Sequence, residues 1–345
     1  MKAGSPVYRM MISKNTFGLV TALLLTAVIS SGCGPTSANT SSSTEEGTAI
    51  AYPYKVVTTC AMVTDIVQVV AGDKAEIHGL MGEGVDPHLY RPTRNDVKQL
   101  MEADVVLYSG LMLEGRMADT FAKIGRQGKP VYAVTEGIDQ SFLREPPEFE
   151  GHWDPHVWTD PSAWSECVQF AAQALSEYDA DNADYYQENA KNYREDLAKL
   201  HDYAKEVIGS IPKEQRALIT AHDAFGYFGR AYEIDVKSVQ GLTTEAEASV
   251  DDINKLVDFI VDRKIRAIFV ESSVNSKNIE AVIAAAADRG STVEIGGKLF
   301  SDAMGKSGTY EGTYIGMMDH NATIIARGLG GEAPEKGLNG RLGEK

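Results

Sequence analysis

The stretch DNADYYQENAKNYREDLAKLHDYAKEVIGSI, residues 181–211, decides the fold. It carries no proline, and no glycine before Gly209. Tyr193, Leu197, Leu200, Ala204, Val207 and Ile211 recur at steps of three and four, which lays an apolar stripe along one side of a long helix. On either side of this rod the chain repeats one pattern. Upstream, strand-like runs at 54–58, 75–81, 104–108 and 131–134 alternate with helical segments at 62–70, 95–101 and 113–124. Downstream, strands at 216–220, 236–239, 267–270 and 292–295 alternate with helices at 225–232, 250–263 and 278–288, and a last helix covers 310–328. Such alternation means βα units and mostly parallel sheet. Continuous apolar runs such as Val105-Val106-Leu107 suit strands covered on both faces. The expectation is an α/β protein of two lobes, each a small, mostly parallel sheet flanked by helices, joined by one long rigid helix. The N-terminal lobe is placed at 51–180, the linking helix at 181–211 and the C-terminal lobe at 212–330, with a Gly- and Glu-rich tail at 331–345 that is expected to fray.

The start of the chain reads as an address. Lys2, Arg9 and Lys14 precede or flank an apolar run at 17–29, which falls short of the roughly 20 residues a spanning helix needs. Ser30-Ser31-Gly32-Cys33 then resembles a bacterial lipoprotein cleavage box, with Ser30 where that box usually carries leucine. Residues 1–32 are read as a lipoprotein signal peptide, Cys33 as the lipidated residue, and 33–50 as a flexible Ser- and Thr-rich tether. An uncleaved N-terminal anchor is the alternative. Either way the folded part sits outside the cytoplasm, held at the membrane. The net charge of −16 argues against nucleic acid, whose phosphates call for clustered Lys and Arg. Cys60 and Cys167 either pair or serve as buried small hydrophobes; their spacing does not choose.

The chain has seven histidines. Two lie in echoing loops, Asp86-Pro87-His88-Leu89-Tyr90 and Asp154-Pro155-His156-Val157-Trp158. Proline stiffens each loop, and an aromatic ring follows two residues after each histidine. His88, His222 and Asp302 all follow predicted strands, and ligands in open α/β sheets bind beyond the carboxyl ends of strands. His156 lies on the crossing between lobes. Imidazole and carboxylate are an ordinary divalent-metal set. By spacing alone a loop histidine is as readily a hydrogen-bonding residue as a ligand, and His222 beside Asp223 also suits a helix start.

The run Ala221-His222-Asp223-Ala224-Phe225-Gly226-Tyr227-Phe228, the two Asp-Pro-His loops, Glu271-Ser272-Ser273 and Leu299-Phe300-Ser301-Asp302-Ala303-Met304-Gly305 together resemble the cluster A-I metal-binding lipoproteins of bacterial zinc and manganese ABC transporters, the TroA-like solute-binding proteins. The likeness runs from Tyr54 to Gly328. It implies metal ligands at His88, His156, His222 and Asp302, with Zn²⁺ or Mn²⁺ as the transported ion and an ABC permease with its ATPase as partner. Histidine at 222 tilts the set toward zinc, because three imidazoles and one carboxylate are softer than an oxygen cage. The histidine-rich loop of some zinc-specific relatives is missing, since 140–151 has none. Glu245 and Glu247 are candidates for holding a ligand's second nitrogen, and Glu271, at the end of a strand, is the runner-up metal ligand or another such outer group, with helix capping as the plainer role of all three. His78, His201, His320 and His152 read as strand, exposed-helix, helix and loop residues respectively. The expected protein is a monomeric, non-catalytic metal receptor. A surface adhesin or metal buffer would share its fold. A zinc hydrolase is the rival from another class, and the chain has no His-Glu-x-x-His segment to support it.

Overall fold

The protein's structure, a computed structural model, describes residues 50–344. The signal segment, Cys33 and the tether as far as residue 49 lie outside the described residues. The first lobe runs β1 (Tyr54–Thr58), α1 (Ala61–Ala71), β2 (Ala75–Gly79), α2 (Arg94–Glu102), β3 (Val105–Tyr108), α3 (Ala118–Gly125) and β4 (Val131–Ala133). Its four strands form one all-parallel sheet in the order β2-β1-β3-β4. Two helices follow, α4 (Pro161–Tyr178) and α5 (Ala183–Gly209). The second lobe runs β5 (Ala217–His222), α6 (Gly226–Tyr232), β6 (Asp235–Gln240), α7 (Val250–Arg263), β7 (Ala267–Glu271), α8 (Lys277–Asp288), β8 (Glu294–Leu299) and α9 (Tyr314–Gly328). Its strands form two parallel ladders, β5-β6 and β7-β8, with β5 lying beside β7.

Local chemistry explains the element ends. Thr93 and Asp96 close a reciprocal capping box on α2, as Ser249 and Asp252 do on α7. Asp160 caps α4 and Pro161 occupies its first turn, where the missing N–H costs nothing. The rod α5 has 27 residues, about 40 Å of helix, and its stripe is buried as the periodicity predicts, from Tyr193 through Leu197, Leu200 and Ala204 to Val207. It begins later than the expected 181, because Ala180–Asn182 forms a separate 3-10 turn.

Three other departures have physical reasons. The helix expected at 113–124 begins as a 3-10 turn at Gly115–Met117, after Leu111 and Met112 adopt positive φ of 51° and 68°. The strand expected to stop at 295 continues to Leu299 through Gly296; a Cβ there would lie 2.9 Å from the Phe269 ring, so the glycine lets β7 and β8 close. The tail does not fray as a whole. Leu342 is buried, and the Leu338 N–H donates to Asp319 Oδ1 at 2.8 Å.

One continuous apolar core joins the lobes. It takes in Val56, Ile66 and Val106 of the first lobe, Leu197 and Leu200 of the rod, and Phe228, Met317 and Ile325 of the second. A smaller core of Ile219, Val257, Ile260, Ile268 and Val282 lies within the second lobe alone. Cys60 and Cys167 are both buried and free, the second of the two readings above, and burial raises both thiols above their usual range.

Candidate metal centre

The carboxyl ends of parallel strands carry the site. His222 is the last residue of β5 and Glu271 the last of β7, and Asp302 comes just after β8. His88 lies midway along the loop between β2 and α2, and His156 opens a 3-10 turn on the way into α4. The sheets' geometry thus brings together residues far apart in the chain.

Buttresses hold each loop. Asn321 on α9 accepts the Phe300 N–H at 2.9 Å and donates to the Phe300 carbonyl at 2.7 Å, fixing the turn before Asp302. The Ser272 hydroxyl donates to the Ala303 carbonyl at 3.1 Å on its other side. Trp158 is fully buried, stands edge-on to His156 with ring centres 5.3 Å apart, and donates its indole N–H to the Ser301 carbonyl at 2.9 Å. Trp158 thus walls off His156 and ties the His156 loop to the Asp302 loop.

The four predicted side chains converge. One donor atom from each of His88, His156, His222 and Asp302 lies within 4.8 Å of the others, and all four residues are buried. His88 Nε2 stands 3.2 Å from His156 Nε2, and Asp302 stands 3.7 Å from His88, 3.5 Å from His156 and 3.0 Å from His222. Ligands about 2.1 Å from a tetrahedral zinc stand about 3.4 Å from each other. The spacing of the four atoms is that of an ion's coordination shell.

The tautomers agree. His156 Nδ1–H donates to Asp154 Oδ1 at 2.8 Å, and His222 Nδ1–H donates to Glu271 Oε2 at 2.5 Å. A carboxylate can only accept, so each ring turns the lone pair of Nε2 inward. His222 Nε2 and both Asp302 oxygens are buried, and among the described residues they meet only one another and the other two imidazoles. Buried acceptors crowded in this way are costly unless a cation satisfies them.

Electrostatics follow from that crowding. Burial pushes His88 down to about 3, overriding the pull of Asp302, so its imidazole is neutral and ready to donate a lone pair. For His222 burial acts downward too, but the Asp302 and Glu271 carboxylates win and hold it well above its ordinary value. Burial acts to raise Asp302, yet the His222, His156 and His88 imidazoles keep its carboxyl well below the usual range. A metal ion and a proton compete for the same inward nitrogen.

The acidic residues behind the rings sort themselves differently from the expectation. Glu271 takes a ring nitrogen, and its other oxygen accepts the Ala221 and His222 N–H groups at 2.6 and 2.9 Å. Glu245 does not; it pairs with Arg116 at 2.8 Å. Glu247 is exposed. The group that sequence reading missed is Asp154. Its carboxylate accepts both the ring and the backbone N–H of His156, and its other oxygen binds Arg144 at 2.7 Å. The signal was present in the Asp-Pro-His echo, since an Asp two residues ahead of a backbone N–H forms an Asx turn. Gly226 makes room for Arg144, whose Nη1 lies 1.2 Å from where a Cβ would be.

The remaining histidines stay outside the cluster. His78 lies on β2, His152 packs on Phe149, and His320 binds the Lys298 carbonyl at 2.9 Å. His201 is not the exposed rod residue expected: its side chain is 24% exposed and sits between Asp160 and Tyr232.

Residues 56–328 match the profile of the family described as ZnuA, the periplasmic component A of a zinc-uptake complex. The manganese-binding lipoprotein MntA of Bacillus subtilis is 43% identical over 90% of this chain and 99% of its own. The metal ABC transporter substrate-binding lipoprotein ScbA of Streptococcus cristatus is 34% identical over 84% of this chain and 92% of its own. The solved structure of the periplasmic zinc-binding protein TroA from Treponema pallidum is 45% identical, covers 80% of this chain and 99% of its own, and superposes with a TM-score of 0.78. Among the described residues no helix is long and apolar enough to cross a membrane.

Proposed function

The chain belongs to the ZnuA family of metal-binding components of bacterial uptake systems, and from that premise we propose that it captures one Zn²⁺ or Mn²⁺ ion between its lobes and delivers it to an ABC permease and its ATPase. The ligands are His88, His156, His222 and Asp302. The observation that carries this reading is the buried convergence of one donor atom each from His88, His156, His222 and Asp302, all within 4.8 Å of one another. Three imidazoles and one carboxylate suit Zn²⁺ better than Mn²⁺ on softness and on intrinsic affinity order. Relatives named for each metal bracket that choice. The lipidated residue is Cys33, so the receptor works tethered outside the cytoplasm as a monomer.

Four protein donors complete a tetrahedron and leave no position for an activated water, which a zinc hydrolase needs. The protein is accordingly a receptor, not a catalyst. Protons compete with the ion for the imidazole nitrogens, so affinity falls as pH drops. Calorimetric titration of the metal-stripped protein tests the proposal. One ion per chain should bind tightly, with proton release that shows as a buffer-dependent heat, and His156→Ala should weaken binding by at least 100-fold. Binding that is weak, or indifferent to that substitution, overturns it.

A further inference from the structure

The ligand loops at His156 and Asp302 are tied to each other by the buried Trp158–Ser301 bond. Asp154 and Glu271 grip the rings of His156 and His222, and the turn before Asp302 is fixed by Asn321. The carboxylate that serves His88 acts on its backbone instead: Asp86 Oδ1 accepts the His88 N–H at 2.8 Å. The other oxygen of Asp86 is held from across the cleft, accepting the hydroxyl of Thr244 at 2.5 Å. The next residue makes a second crossing, Glu245 pairing with Arg116 at 2.8 Å. Both crossings come from the connection between β6 and α7 in the second lobe. That connection is rooted there by buried Leu242 and by Gln240, whose amide donates to the Ala246 carbonyl at 3.1 Å.

We propose that residues 242–246 form a strap from the second lobe that holds His88 in place through Thr244 and Asp86, with Glu245–Arg116 as its outer clasp, and that unfastening it sets the rate of metal release. Thr244 is a positioning residue: it touches no ligand atom and acts through Asp86. His88 is then the first ligand to leave, because its tie to the opposite lobe is only part-buried while the Trp158–Ser301 tie is fully buried. The Arg116 and Glu245 side chains are 31% and 51% exposed, so the clasp is weak enough to be traded for contacts with a docked partner. The bond from Thr244 to Asp86 is part-buried and so less screened than the exposed clasp.

This inference rests on the metal-capture reading, and the test separates the two. The full mature chain is loaded with Zn²⁺, mixed rapidly with excess chelator, and release is followed by tryptophan fluorescence or a chromogenic chelator. Thr244→Val should release the ion faster by about tenfold, the scale of one hydrogen bond to a charged group. Thr244→Ser, which keeps the hydroxyl, should restore the wild-type rate. Arg116→Glu and Glu245→Arg should each quicken release, and the two together should slow it again. Association rates and the unfolding temperature of the metal-free protein should not move, which distinguishes a strap from a general loss of fold. If Thr244→Val and Arg116→Glu both release Zn²⁺ at the wild-type rate from a protein that binds it tightly, the strap is overturned and the capture reading stands. If the wild type binds no Zn²⁺, both fall.

Discussion

His156 and His222 each spend one ring nitrogen on a buried carboxylate so that the other points inward. Outer groups of this kind typically tune metal affinity by about 10–100-fold. Glu271→Gln should therefore weaken Zn²⁺ binding by that factor in a chelator competition, because an amide nitrogen facing Nδ1 can reverse the tautomer. An unchanged affinity would mean that the ring needs no such support. Another buried acid, Asp65, lies on α1 against the rod. Asp65 accepts the Tyr193 hydroxyl at 2.6 Å, and burial pushes its carboxyl up to about 6. A carboxyl raised in the folded state adds stability at acid pH and loses it as pH climbs through about 6. Asp65→Asn cannot lose a proton there. Its unfolding free energy relative to wild type should rise by about 3 kcal/mol between pH 4 and pH 7. Denaturant melts at the two pH values read that difference, and a flat difference would show that Asp65 does not titrate in this window.

At the scale of elements, the rod does most to decide the architecture, and it was the easiest to read. Its stripe from Tyr193 to Val207 needs only a period of 3.6 and the absence of breakers. Leu200→Ala, at a fully buried position on that stripe, should cost about 2–5 kcal/mol in denaturant unfolding while leaving one ion bound per chain. A loss of less than about 1 kcal/mol would mean the rod is not packed as described. The strands and helices at 54–108 were legible for similar reasons. Elsewhere local patterns misled, because tertiary contacts decide. β8 runs on through Gly296, where a strand reading stops, because Phe269 packs against the missing side chain. The turn at 111–112 bends through positive φ that neither Leu111 nor Met112 announces. Of the site, the four donors were named from their places after strands together with a family likeness. Asp154 was overlooked because its Asp-Pro-His loop was read for stiffness alone, and Glu245 was offered as a ring partner because nothing local betrays Arg116, 129 residues away.

For the whole molecule, the continuous core through both lobes and the rod argues for small adjustments over wide hinge closure. Met317 and Ile325 of the second lobe and Ile66 of the first belong to that one core, so large separation would expose its apolar surface to water. Release must then come from loops at the cleft, which is where the strap lies. The central claim, that four side chains from two lobes share one ion, is tested most directly by anomalous diffraction from crystals grown with zinc, collected above and below the metal edge. The account predicts a single strong peak about 2.0–2.2 Å from His88 Nε2, His156 Nε2, His222 Nε2 and an Asp302 oxygen. A peak bound by fewer than three of these atoms, or no peak between the lobes, would contradict it.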